Sequence, residues 1–192
     1  MVYCSKTKRL KRQHSNLQEM AFLLYLCFIV SSLTFFQSFC QTTNNKDASI
    51  EWFSINDIDS LKSLGEKKVL IDVYTSWCPP CKKMDEYTFK DRRIINYINT
   101  NFYPIKFNGE SKDTLNFKGE VFLPTDKTHT LTHALSISVY PTFLFFDEKG
   151  NLITKEAKFF SPNEMEIALQ YIQGNHYKTT SYARFKSNYE FE

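Results

Sequence analysis

The spacing of apolar positions over residues 50–174 changes from helical to strand-like and back. In "SINDIDSLKSLG" the residues Ile55, Ile58, Leu61 and Leu64 recur three apart, which marks one face of a helix. Ser54 is placed to cap it, Asp57 falls at its third position, and Gly65 ends it. "KVLIDVY", Lys68–Tyr74, is a continuous apolar run broken only by Asp72, the pattern of a central strand buried on both faces. "CKKMDEYTFKDRRIINYINTN" returns to a helical pattern with a break near Thr88–Asp91. "FYPIKFN", Phe102–Asn108, is a second strand. Residues 109–130 are polar and aperiodic, and are expected to form a long loop with some local structure. "HTLTHALSI" suggests a short helix. "PTFLFFD" (Pro141–Asp147), the turn "EKGN" and "LITKEAKFF" together form a hairpin. "SPNEMEIALQYIQG" carries the fullest helix signals: Ser161 to cap, Pro162 first, Glu164 completing a capping box, an apolar stripe of Met165, Ala168, Leu169 and Ile172, and Gly174 as the stop. This order predicts an α/β domain with a central mixed β-sheet flanked by helices.

Charge changes the picture at the N-terminus. Residues 1–20 hold Lys6, Lys8, Arg9, Lys11, Arg12 and Glu19, a net +4, and residues 21–40 hold no charge. The formal +3 of the chain therefore leaves −1 for the rest, and basicity on a folded face, which nucleic-acid binding needs, is missing. A basic arm, the apolar run "AFLLYLCFIV" and then "SSLTFFQSFC" have the layout of a secretory signal, with Ser38 and Cys40 at the cleavage positions. The competing expectation is an uncleaved membrane anchor, since Ala21–Phe39 is just long enough to span a bilayer. Either way the domain is delivered outside the cytoplasm. The expected organisation is a signal peptide or anchor over 1–40, a domain over 41–174, and a C-terminal extension over 175–192.

Three of the five cysteines, Cys4, Cys27 and Cys40, fall in that targeting segment. The domain keeps Cys78 and Cys81 alone, which excludes a multi-disulfide scaffold. "WCPPC" lies between a strand and a helix, so Cys78 sits at a helix N-terminus. Unpaired N–H groups and the helix dipole there favour thiolate. Cys78 is the expected nucleophile and Cys81, one turn in and more buried, the resolving thiol. Pro80 removes one N–H donor from the Cys78 sulfur, and no histidine lies between the cysteines. Both facts point to a reducing pair. Two other readings stand beside this one. A disulfide closing so small a loop adds little stability. A zinc site could combine Cys78 and Cys81 with His129 and His133, although that spacing is far longer than in compact zinc fingers.

"LIDVYTSWCPPCKKM" together with "VYPTFLFFDEKGNLI" resembles the thioredoxin superfamily over about residues 50–174. "WCPPCKKMDEYTF" is similar in particular to the C-terminal periplasmic domain of the DsbD electron transporter and its stand-alone exported relatives. The resemblance implies a thioredoxin-like fold and a redox-active Cys78–Cys81 disulfide. It implies that Pro141 is a cis-proline facing the sulfurs, that Tyr140 pairs with substrate through its backbone, and that Trp77 shapes the docking face. It also implies that Asp72 is a buried proton acceptor for Cys81 and that Lys106 is its neighbour. The expected activity is that of an exported thiol–disulfide oxidoreductase, a dithiol reductant or electron carrier in a bacterial periplasm or cell envelope. A disulfide-containing protein is the expected substrate, a membrane electron donor of the DsbD/CcdA type the expected partner, and no cofactor is expected. Isomerase and oxidase directions share the chemistry. The alternative of another class is a non-enzymatic metal- or partner-binding module on the same fold.

Overall fold

A computed structural model describes residues 48–190, which belong to one structural unit beginning at Asp47. The expected targeting segment, residues 1–40, lies outside the described residues. Among the described residues no helix is long and apolar enough to cross a membrane.

The first helix begins with a 3-10 turn, Ile55–Asp57, and continues as α1, Ile58–Leu64. Ser54 and Asp57 form the capping box, and Gly65 leaves the helix at φ +65°. β1 (Lys68–Tyr74) follows, then α2 (Pro79–Glu86), a 3-10 turn (Thr88–Lys90), α3 (Arg92–Asn101) and β2 (Phe102–Asn108). The helical break near Thr88–Asp91 is that 3-10 turn, after which Asp91 caps α3 through the Arg93 N–H. β1 and β2 run parallel, and β1 pairs antiparallel with β5 (Thr142–Phe146), which pairs with β6 (Leu152–Glu156). The sheet order is β2-β1-β5-β6. Ahead of α1, Phe53 bridges to the outer edge of β2. Its N–H donates to the Pro104 carbonyl at 2.8 Å, and its carbonyl accepts from Lys106 N–H at 3.2 Å.

Alternation along the strands divides the core. Leu70, Phe143, Phe145 and Phe102 face α2, α3 and α5 (Pro162–Gln173), meeting Met84, Ile94, Ile98, Met165 and Leu169. Val69, Ile71, Val73, Ile105, Leu144 and Phe146 face the other way, onto Ile55, Ile58, Leu61, Leu131 and Ile137. Helices therefore cover both faces of the central strands, as a near-continuous apolar β1 requires. Lys68 is the second charge within that run. It is buried, with its ammonium 2.5 Å from Glu148 Oε1.

Two expectations need correction. Residues 109–130 are more than a loop. They contain a second sheet, β3 (Leu115–Phe117) with β4 (Glu120–Phe122), and lead into α4 (Thr130–Ala134). Lys118 and Gly119 form its two-residue turn at φ 55° and 78°, and Leu115 and Phe117 reach the core. The partner strand of the hairpin ends at Glu156 and does not reach Phe160. Phe160 instead turns into the core, where its N–H meets Met84 Sδ at 3.4 Å and its carbonyl accepts the Thr88 hydroxyl at 2.6 Å. Gly174 stops α5 at φ −72°, and the left-handed residue is Asn175. A Cβ on Gly174 would lie 2.6 Å from His176 Nε2, so close approach accounts for the glycine. Beyond it, α6 (Tyr182–Ser187) folds back. Tyr177 and Tyr182 pack on the core, and the Tyr171 hydroxyl donates to the Thr180 carbonyl at 2.6 Å.

Candidate active site at the start of helix α2

β1 ends at Tyr74, and a turn closed by Cys78 N–H on the Thr75 carbonyl (3.3 Å) delivers Cys78 to the N-cap of α2. Pro79 and Pro80 occupy the first helical positions, where a missing N–H costs nothing to the helix. Cys78 and Cys81 are joined by a disulfide with S–S 2.13 Å and Cα–Cα 5.3 Å. The Cys78 sulfur also accepts the Cys81 N–H at 3.2 Å. The two residues are buried alike, 2% and 3% exposed, against the expectation that Cys81 is the deeper. The bond and the N–H contact together draw the Cys78 sulfur in over the first turn.

Asp72 lies on β1 beside Lys106 on β2, in direct register across the parallel pair. It is buried rather than facing solvent at a strand end. Burial pushes its carboxyl up to about 7, against the pull of the Lys106 ammonium 3.8 Å from Oδ2. Desolvation is the largest effect, and the negative charge of Asp85 on α2, which also pairs with Lys106, pushes Asp72 further up. The Asp72 Oδ1 atom is buried without a hydrogen-bond partner. Lys106 is more than a surface lysine. Its ammonium lies 5.1 Å from the ring centres of both Trp52 and Tyr74 and 5.7 Å from that of Phe89.

Trp77 is 61% exposed, which removes a core role. Its Nε1–H donates to Glu110 Oε1 at 2.9 Å, and its ring meets Tyr140 edge-on at 6.1 Å. The Tyr140–Pro141 peptide is cis, and Pro141 is buried. A Cβ on Gly109 would lie 2.6 Å from the Tyr140 hydroxyl, so glycine lets that ring settle against the end of β2.

The histidines are engaged elsewhere. His129 is fully buried and caps α4, its Nδ1 accepting the Leu131 N–H at 3.1 Å and its Nε2–H donating to the Asp113 carbonyl at 3.0 Å. Neither nitrogen is left to ligate. His133 Nε2 meets the Thr128 hydroxyl at 3.0 Å. Among the described residues no three His, Cys, Asp or Glu side chains gather as metal ligands would. A cavity of about 310 Å³ between β6, α5 and the C-terminal tail is lined by none of the expected site residues.

Sequence reasoning missed Asp85 and Glu110. Asp85 carried a signal, since it falls one helical turn after Cys81. Glu110 lies in the aperiodic stretch and carried none.

Residues 56–173 match the family model described as a thioredoxin-like domain. Among curated proteins, the chain is 28% identical over 115 residues to the thiol:disulfide interchange protein DsbD of Photorhabdus laumondii, covering 58% of this chain and 18% of that protein. It is 31% identical over 88 residues to the DsbD protein of Yersinia pestis, covering 46% of this chain and 13% of the relative. The chain thus spans less than a fifth of the length of these relatives. Among solved structures, a thioredoxin-fold protein from Helicobacter pylori aligns with TM-score 0.54 at 16% identity, over 64% of this chain and 81% of its own. A thioredoxin from Thermus thermophilus aligns with TM-score 0.51 at 15% identity, over 65% and 87%. These two likenesses concern the fold alone. The family match spans the cysteine pair, Asp72, Lys106 and Pro141, and with it the chain belongs to the thioredoxin-like domain family, related to the DsbD proteins.

Proposed function

We propose that the protein is an exported thiol–disulfide oxidoreductase that works as a dithiol reductant or electron carrier in a bacterial cell envelope. The observation that carries the reading is the Cys78–Cys81 disulfide across the first turn of α2, with the Cys78 sulfur on the Cys81 N–H. In the reduced protein, the Cys78 thiolate attacks one sulfur of a substrate disulfide and displaces the other as a thiolate, leaving a mixed disulfide. Cys81 gives up its proton and attacks Cys78, and the second substrate sulfur leaves. Two electrons pass to the substrate, and the Cys78–Cys81 bond closes. Asp72, raised to about 7 by burial, is poised to take the Cys81 proton near neutral pH. Lys106 moderates that carboxylate. Trp77 and the Tyr140–Pro141 backbone form the face on which an extended substrate segment docks. Re-reduction requires an electron donor, for which a membrane protein of the DsbD type is the natural class.

The test is reduction of insulin disulfides by dithiothreitol with and without the full chain. Wild type is expected to accelerate it, Cys78→Ser is expected to be inactive, and Cys81→Ser is expected to accumulate a mixed disulfide. Acceleration that survives Cys78→Ser, or none from the wild type, would contradict the reading.

A further inference from the structure

Thr75 lies between β1 and Cys78, and its side chain is 1% exposed. Its carbonyl accepts the Cys78 N–H, closing a four-residue turn that holds the two residues within about 7 Å. A threonine heading such a turn commonly satisfies its hydroxyl on the main chain two residues on. This hydroxyl is buried without a hydrogen-bond partner. Leaving a buried hydroxyl unpaired is unfavourable, and valine would fill the same space without that cost. The hydroxyl therefore calls for a partner that the oxidised protein does not supply.

Reduction supplies one. In the disulfide the Cys78 sulfur is a weak acceptor and already takes the Cys81 N–H. As a thiolate it becomes a strong acceptor beside a helix end that lacks two donors, because residues 79 and 80 are both proline. We propose that Thr75 is a redox-tuning residue: its hydroxyl turns to donate to the Cys78 sulfur once the disulfide opens, and so favours the thiolate. The inference rests on the thiol–disulfide function proposed above. No covalent bond to Thr75 forms. Two electrons from the reductant break the S–S bond, Cys81 takes a proton, and the Thr75 O–H contact stabilises the charge left on Cys78. Thr75 therefore lowers the Cys78 pKa and eases reduction of the pair. It partly offsets the donors lost at Pro79 and Pro80.

The test uses the full chain with Thr75→Val, which keeps the shape, and Thr75→Ser, which keeps the hydroxyl. Each is reduced with dithiothreitol, and the rate of Cys78 alkylation by iodoacetamide is followed against pH. The other titratable groups of the site, Asp72, Asp85, Lys106, Glu110 and Tyr140, with Lys82 and Lys83 on α2, are the same in both variants. Thr75→Val is expected to move the alkylation midpoint up by about one pH unit and to shift the equilibrium with dithiothreitol about tenfold toward the disulfide. Thr75→Ser is expected to stay near wild type. Should Thr75→Val fail to fold, Thr75→Ala carries the same expectation. A folded Val or Ala variant with an unmoved midpoint would overturn the inference, and a change in melting temperature alone would mark a structural role. A wild-type pair that dithiothreitol does not open would overturn the oxidoreductase reading instead.

Discussion

Asp72 combines two opposing demands in one side chain. Its burial favours the neutral acid, while the proton transfer proposed for it at neutral pH needs the carboxylate within reach. Because its folded-state pKa, about 7, stands above its ordinary 3.8, the protonated form stabilises the fold below about pH 4. That contribution is lost as pH rises through 7. Asp72→Asn removes the dependence. Urea unfolding should find the variant more stable than wild type by roughly 4 kcal/mol at pH 8, with the gap closing toward pH 4. A constant gap at both pH values would refute the buried-acid account. Asp85→Asn acts on the same group from outside. It removes a negative charge that raises Asp72 and leaves Lys106 to Asp72 alone, so the Asp72 carboxyl titration followed by NMR should move down. Asp72 and Lys106 were legible because each interrupts a strand pattern at a position the thioredoxin resemblance marks. The shared use of Lys106 by two carboxylates was not, since it depends on how α2 lies over the sheet.

At the scale of elements, local signals were strongest where the chain satisfies its own end groups. The Ser54 and Ser161 caps and the run of β1 could be read directly, because each is decided within a few residues. The β3–β4 hairpin was missed for the opposite reason. Its strands are three residues each, and its signal reduces to alternation in "LNFKGEVF" around a Lys-Gly turn. Its order comes from Leu115 and Phe117 reaching a core built by distant elements, and from main-chain donors such as the Gly119 N–H on Asp59. Gly119 sits at φ +78° with open space around a would-be Cβ. Gly119→Ala should therefore cost about 1 kcal/mol from backbone conformation alone, read by urea unfolding. No loss would mean the turn is not left-handed there. The overrun of the last strand has a similar cause, because Phe160 leaves the sheet for a place beside Met84 that only tertiary packing defines.

At the scale of the molecule, the described residues form a sheet with both faces covered and the cysteine pair at the C-terminal end of a central strand. The tail adds an aromatic patch: Tyr171 meets Tyr182 and Phe185 at 5.3 Å, and Phe185 meets His176 at 4.5 Å. A chain ending at Gly174 should melt about 5 °C or more lower while its cysteine pair keeps the same equilibrium with dithiothreitol. A change in that equilibrium would tie the tail to the site. The central claim is that Cys78 and Cys81 form a reducing thiol–disulfide centre. Its most direct test is the redox equilibrium of the full chain against dithiothreitol, with the free thiols counted by alkylation and mass spectrometry. The expected result is one two-electron transition at Cys78 and Cys81, closer to about −270 mV than to the roughly −120 mV of a strong oxidant. A transition near −120 mV, or a pair that does not exchange, would contradict it.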